Sequence, residues 1–216
     1  MCGRFALYSS FTAIKEYADI LNEIGDLDKN FNVAPGQIIP IVIKEHGKKI
    51  LEPVKWGLVP FWAKDPKIGY RMINTRAKTI AEKPSFKAAF KYRRCLIPAN
   101  GFYEWKKPEK EPYYIHLPDR ELFSFAGIWE EWHHPDGTQL RTCSIITTSA
   151  SKMMQNIHER MPVILNKENE EKWLTHNDQK ELQSLLKTYD NEMLMYPVSK
   201  AVNSYKNNDS QLLKEI

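Results

Sequence analysis

CLIPANGFYEWKKPEKEPYYIHLPDRELFSFAGIWEEWHHPDGTQLRTCSIITT, residues 95–148, is the stretch that decides the fold. It divides into runs of β-branched, aromatic and aliphatic residues at Cys95–Pro98, Phe102–Lys106, Tyr113–Leu117, Leu122–Trp132 and Leu140–Thr148. These read as strands in quick succession, with Asp136-Gly137 as the turn between the last two. Working upstream, Pro84–Arg93 reads as a short amphipathic helix with Pro84 in its first turn. Pro60–Tyr70, with Pro66 and Gly69, reads as a loop, and Lys49–Trp56 as a strand. Gln37–Ile43 reads as a strand that Pro40 marks as an edge or a bulge. Phe11, Ile14, Tyr17, Ala18, Leu21 and Ile24 recur at helical spacing, with Ser10 or Thr12 as cap. Downstream, Ser151–Ile157, Glu168–Thr175 and Asp178–Lys187 read as helices and Met193–Val198 as a late strand. The sum is an α+β fold: a single domain over residues 1–198 around a curved, mainly antiparallel, barrel-like sheet with flanking helices. A polar, loosely held tail is expected over 199–216.

The 216 residues are 42% hydrophobic and 27% charged, ordinary globular proportions for one domain. No apolar run reaches the roughly 18 residues of a membrane helix. The first residues lack a secretory hydrophobic region, so a cytoplasmic protein is expected. Three cysteines, Cys2, Cys95 and Cys143, form no even disulfide set and no C-x-x-C pair, which excludes a disulfide scaffold and leaves no cysteine zinc motif. His133-His134 and Glu130-Glu131 flank a hairpin tip and read as solvent-exposed, so no metal and no organic cofactor is expected.

The net charge of +4 is unevenly placed. Lys64–Arg94 holds ten Lys/Arg against two Asp/Glu, while the rest of the chain carries 21 basic and 25 acidic groups. Trp56–Trp105 holds ten of the 25 aromatic residues. Cations interleaved with flat rings suit a single-stranded nucleic acid, and equally a solvated helix face at Lys83, Lys87 and Lys91 over buried rings.

Four residues carry candidate chemistry. Cys2, once Met1 is removed, presents an α-amine beside a thiol, a 1,2-aminothiol able to close on an aldehyde as a thiazolidine; as a terminal residue it can equally be incidental. Glu104 lies within Gly101-Phe102-Tyr103-Glu104-Trp105 and would move protons if buried there, or face solvent on an alternating strand. His158 falls at a helix-to-strand junction, where it suits acid–base work or a structural hydrogen bond. Asn74 could orient a substrate or cap a helix.

Six ordered segments carry a resemblance: Met1-Cys2-Gly3-Arg4-Phe5, Phe31-Asn32-Val33-Ala34-Pro35, Trp56-Gly57-Leu58-Val59-Pro60-Phe61-Trp62, Asn74-Thr75-Arg76-Ala77, Pro98 to Trp105, and His158-Glu159-Arg160-Met161-Pro162-Val163. Together they resemble the SRAP family, abasic-site processing proteins once labelled SOS-response-associated peptidases. The resemblance implies a sensor of abasic sites in single-stranded DNA that crosslinks covalently through Cys2. It implies that Asn74 orients the amine and sugar, that Glu104 handles protons at the sugar oxygen and imine, and that His158 assists ring opening. Arg76 and Arg160 would hold phosphates. Asn32 would join the DNA-contacting set, and Pro35, Trp62 and Trp105 would offer surfaces to bases. Arg71 joins this set from the basic stretch alone. The expected partner is abasic single-stranded DNA, with no membrane, and the protein a monomer that is nucleoid-associated if bacterial. Met-Cys-Gly also opens glutamine amidotransferases, so an N-terminal-cysteine hydrolase or thiol peptidase stands as an alternative, as does a non-catalytic single-strand binder.

Overall fold

The computed structural model describes residues 2–118, 121–134 and 136–216. Its strands are β1 (Phe5–Leu7), β2 (Asn30–Val33), β3 (Ile38–Glu45), β4 (Lys48–Trp56), β5 (Asn74–Arg76), β6 (Arg94–Ala99), β7 (Gly101–Lys106), β8 (Glu111–His116), β9 (Phe123–His133), β10 (Gln139–Ser149), β11 (Arg160–Pro162), β12 (Ile164–Leu165) and β13 (Leu194–Pro197). Its helices are α1 (Phe11–Ala18), α2 (Pro84–Tyr92), α3 (Lys167–Thr175) and α4 (Gln179–Leu185). No helix among the described residues is long and apolar enough to cross a membrane.

Strand pairing closes a barrel. β10 pairs β4, β4 pairs β3, β3 pairs β6, β6 pairs β9, and β9 returns to β10. Every step is antiparallel except β4–β10, which is parallel at Lys55↔Thr142 and Trp56↔Cys143. A two-residue turn at His46-Gly47, both with positive φ (49° and 78°), joins β3 to β4 with the twist such hairpins require. Pro40 sits opposite Pro53 in this ladder, and β6 meets β3 only at Val42↔Leu96. The edge expected at Pro40 is therefore local: β3 is otherwise an inner strand, and the missing N–H falls where no neighbour asks for it.

The second sheet runs β13-β8-β7-β1-β2 and docks on the barrel through an edge-to-face aromatic cluster. Phe5 of β1 meets Trp56 at 5.3 Å and Phe125 at 5.9 Å, and Phe102 meets Phe125 at 6.0 Å. The α+β, single-domain, barrel-like reading is the observed fold.

The helices plug the barrel's flank. α2 buries Phe86, Ala89 and Phe90 and exposes Lys83, Lys87 and Lys91. The C-terminal ends of α2 and α3 meet at Arg94, whose guanidinium donates to the carbonyls of Phe90, Lys91, Trp173 and His176 at 2.5–3.1 Å. One buried cation thus satisfies the orphan carbonyls of two helices. Ser10 caps α1 by accepting from the Ala13 N–H, and the helix stops at Asp19 in the left-handed region, short of Leu21 and Ile24.

Three expectations are corrected. Glu130 is not solvent-exposed: it is buried and accepts from Arg93 Nη2 at 2.8 Å. Ser151–Ile157 is not an α-helix; only Met154–Asn156 turns, as a 3₁₀ segment, because Ala150 bonds across to the Glu159 carbonyl and pulls the chain back toward β10. The segment from Ser199 is not a loose tail. Val202 and Leu212 are buried in a second apolar cluster with Tyr103, Tyr114 and Val198, and Val198 bridges Glu215. Two apolar anchors in a polar segment suffice to dock it, a pattern too sparse for composition to reveal.

Candidate active site

The site forms where the two sheets meet, and each sheet supplies part of it. β5 is the barrel's contribution. The Trp56 ring N–H and the Ile145 backbone N–H both donate to the Ile73 carbonyl, at 2.9 and 3.1 Å, just before Asn74. β5 then runs parallel to β10, placing Asn74 opposite Ile145 and Arg76 opposite Thr147. The chain reaches this position because Gly57 and Gly69 touch backbone to backbone: a Cβ on Gly57 would lie 2.8 Å from the Gly69 carbonyl oxygen, and Gly57 has φ 131°. A side chain at either position would push the intervening loop away.

Cys2 comes from the other sheet, just before β1, and is fully buried. Asn74 Nδ2 donates to the Cys2 carbonyl at 2.8 Å, whereas Asn74 Oδ1 is buried with no hydrogen-bond partner among the described residues. The capping alternative for Asn74 is therefore set aside; its amide holds the residue that carries the thiol. Burial, and secondarily the charge of Glu104, push the Cys2 thiol well above the ordinary cysteine range.

Glu104 is 2% exposed, so it does not face solvent. It lies on β7, whose Tyr103 N–H donates to the Arg4 carbonyl at 2.9 Å, fixing β7 against the N-terminal residues. Arg160 lies within electrostatic range of both Glu104 and Arg76; burial, then Arg76, lower its basicity, opposed by Glu159 and Glu104. Its Nη1 reaches Thr147 Oγ1 at 3.4 Å, and that hydroxyl donates to the Thr75 carbonyl at 3.0 Å. His158 is half-buried, and its Nδ1 lies 3.0 Å from the Arg160 backbone N–H and 3.1 Å from the Arg160 carbonyl oxygen, so the ring is seated on the backbone of Arg160. Cys2, Asn74, Glu104, Arg76, Arg160 and His158 are thus joined by contacts or by mutual electrostatics.

The remaining sequence candidates divide. Arg76 and Arg71 are exposed, and Pro35 is half-buried beside Gly36, whose N–H donates to the Trp56 carbonyl. Trp62 is exposed and shares with Arg71, Lys64 and Lys67 the wall of a surface cavity of about 350 Å³. Trp105 is half-buried, its ring N–H held by Asn203 Oδ1 at 2.7 Å. Asn32 does not belong with the surface set. It is fully buried; its Nδ2 donates to the Val202, Ser204 and Asn207 carbonyls and its Oδ1 accepts from Arg4. Its amide is saturated by protein, so it serves the fold rather than a ligand. Thr147 and Arg4 were not singled out from sequence; Arg4 lies inside the first motif, but nothing in the sequence distinguishes Thr147 from its neighbours on β10.

A buried Cys2 held by Asn74 and electrostatically coupled to the buried Glu104, with Arg160 in range of Glu104 and Arg76 and His158 seated on the Arg160 backbone, makes a candidate site built across two β-sheets. The sequence model described as "SOS response associated peptidase (SRAP)" matches residues 1–205, and the chain belongs to that family. It is 48% identical to "Abasic site processing protein YoqW" of Bacillus subtilis, with 99% of each chain covered. It is 32% identical to "Abasic site processing protein HMCES" of Xenopus tropicalis, covering 89% of this chain and 68% of that protein. A crystal structure of a Bacteroides thetaiotaomicron protein superposes with a TM-score of 0.91 at 30% identity over the whole of both chains.

Proposed function

We propose that this protein processes abasic sites in single-stranded DNA by forming a covalent thiazolidine through Cys2 after Met1 is removed. The observation that carries the reading is the Asn74–Cys2 contact at 2.8 Å beside the buried Glu104. The names of the relatives supply the substrate class.

An abasic deoxyribose opens to an aldehyde at C1′. The Cys2 α-amine adds to that carbon and water leaves, giving an imine. The thiol then adds across the C=N bond: sulfur bonds to carbon, and the thiol proton ends on nitrogen. The amine must react first, because only its condensation with the aldehyde creates the C=N bond to which the thiol adds. A cationic iminium formed next to the Glu104 carboxylate is stabilised and offsets the charge that opposes the thiolate, so sulfur is activated once the imine exists. Glu104 carries protons to and from the sugar oxygen and the carbinolamine, and His158 assists ring opening. Asn74 holds the Cys2 carbonyl and hence the direction of the amine. Arg76 and Arg160 take the flanking phosphates; Trp62, Pro35 and Trp105 face neighbouring bases, and Arg71 adds charge at the edge. Lyase turnover would follow from the same imine, and removal of Met1 by the protein itself would be its peptidase activity. The protein would act as a monomer in the cytoplasm, at the nucleoid in a bacterial host.

The test is incubation with an abasic oligonucleotide followed by denaturing electrophoresis and intact mass. The expected product is a heat-stable adduct on a chain lacking Met1. Glutamine hydrolysis without any DNA adduct would instead favour the amidotransferase reading, and binding without an adduct the non-catalytic one.

A further inference from the structure

We propose that Arg4, seated on Asn32 and on the segment 199–208, is a positioning residue that keeps Cys2 in place for reaction; the inference rests on the function proposed above. Chain termini fray unless tied down. Ladder pairing of β1 with β7 ends at Phe5↔Phe102, so Cys2 lies beyond the last paired residue. Three anchors hold the residues that precede β1. The Asn74 amide holds the Cys2 carbonyl, and the Tyr103 N–H holds the Arg4 carbonyl. The third is the Arg4 guanidinium, whose Nη1 donates to Asn32 Oδ1 and to the Val202 carbonyl, both at 2.7 Å.

That third anchor is tied to distant sequence. Asn32 Nδ2 gathers the carbonyls of Val202, Ser204 and Asn207, and Asn208 Oδ1 accepts from the Phe31 N–H at 2.7 Å. The segment also holds Trp105, the neighbour of Glu104, through Asn203. The chain from 199 to 208 therefore braces residues adjacent to both the nucleophile and the buried carboxylate. Among the described residues, the hydrogen-bond partners of the Arg4 side chain are neutral oxygens, and burial lowers its basicity, so a half-buried cation is held on amide and carbonyl groups. Such an arrangement costs desolvation that a simple surface arginine would avoid.

The experiment compares wild type, Arg4→Met, Arg4→Lys and Asn32→Ala. It measures single-turnover adduct formation at saturating abasic DNA, the DNA dissociation constant, and thiol labelling of Cys2 against Cys95 and Cys143. The last two cysteines are fully buried in the barrel and report global loosening. Arg4→Met should slow adduct formation by roughly 10-fold or more, in keeping with the cost of misplacing reactants, while DNA affinity stays within about 3-fold. Cys2 labelling should rise, and Cys95 and Cys143 should stay protected. Arg4→Lys should recover part of the rate, and Arg4→Met combined with Asn32→Ala should be no worse than the poorer single variant. Wild-type rate and Cys2 protection in Arg4→Met overturn the inference, as does equal exposure of all three thiols in Arg4→Met and Arg4→Lys. The labelling arm needs no DNA, so a wild type that forms no adduct defeats the proposed function without deciding the anchor.

Discussion

The barrel and the five-stranded sheet reach the active site by different physical means. In the barrel, Ile41, Ile43, Leu51, Ile97, Phe125 and Ile145 are sealed from solvent, and apolar burial sets the position of β5 and β10. On the outer face of the five-stranded sheet, a cluster around Tyr103, Tyr114 and Val202 is completed by the Asn32 amide donating to the Val202 carbonyl and the Trp105 ring N–H donating to Asn203 Oδ1. The barrel brings Asn74, Arg76, Arg160 and His158; the smaller sheet brings Cys2 and Glu104. In the proposed function, the groups assigned to hold DNA thus sit mainly on the element that is hardest to deform, while Cys2 and Glu104 sit on the element braced by polar contacts and His158 is the proton carrier on the barrel side. Substitutions on the smaller sheet should stop chemistry, and those on the barrel should mislay or release the DNA.

The largest effect should come from Cys2→Ser. The amine survives, so an imine trappable by borohydride should still form, but the heat-stable adduct should vanish because a hydroxyl is a poor second nucleophile. A heat-stable adduct at wild-type yield would place the nucleophile elsewhere. Acetylating the N-terminus, or retaining Met1, should remove both products.

Glu104→Gln keeps shape while removing proton exchange, and a general acid–base group contributes on the order of 10²-fold or more. Adduct formation should slow by about that factor with DNA affinity nearly unchanged; an equal loss in both would make Glu104 a binding residue. Asn74→Ala, on the barrel, should slow the adduct by up to about 10²-fold through misorientation. Rapid-quench rates at saturating DNA separate the two, because Asn74→Ala should leave the pH profile of the rate unchanged whereas Glu104→Gln should flatten it.

How much of this was legible in sequence follows from distance along the chain. The strands of residues 95–148 were legible because they are runs of β-branched, aromatic and aliphatic residues bounded by turn residues, even though β6 is buried at every position and shows no alternation. Barrel closure was not, since it depends on parallel pairing of β4 and β5 with β10, partners some 70–90 positions apart: Lys55↔Thr142 and Asn74↔Ile145 leave no local trace. β1, β5, β11 and β12 are three residues or fewer, too short for any periodicity. At the candidate site, the motifs single out Cys2, Asn74 and Glu104, which the structure brings together, whereas the contacts that join them are not written in the motifs. The misplacement of Asn32 has a specific cause: its partners Val202, Ser204 and Asn207 lie in a segment whose polarity reads as a tail, so a buried clamp and a surface contact look alike in sequence.

A smaller effect should appear in the salt dependence of binding. Each phosphate neutralised on a single strand contributes about 0.7 to the slope of log affinity against log salt. Arg76→Ala and Arg160→Ala should each flatten that slope by about one contact, whereas Cys2→Ser should leave it unchanged. A slope that neither arginine moves would assign both to holding the barrel rim, where Arg160 already reaches Thr147.

The smallest and most discriminating effect concerns the Cys2 thiol itself. Burial raises its pKa first and the Glu104 carboxylate second, since a nearby negative charge disfavours the thiolate. Glu104→Gln deletes the second cause and leaves the first, so the thiol should titrate at lower pH than in wild type yet still above an exposed cysteine. Cys95 and Cys143 supply a constant background: burial raises both, and Glu104 bears on neither. Thiolate ultraviolet absorbance followed against pH in the two proteins therefore reads Cys2 by difference. If the titration moves down while adduct formation slows, the easier thiolate does not compensate for the lost proton carrier, and Glu104 acts chiefly on the sugar and the imine. If the titration does not move, the carboxylate and the thiol are electrostatically independent, and Glu104 acts on the sugar and the imine without holding the thiol protonated.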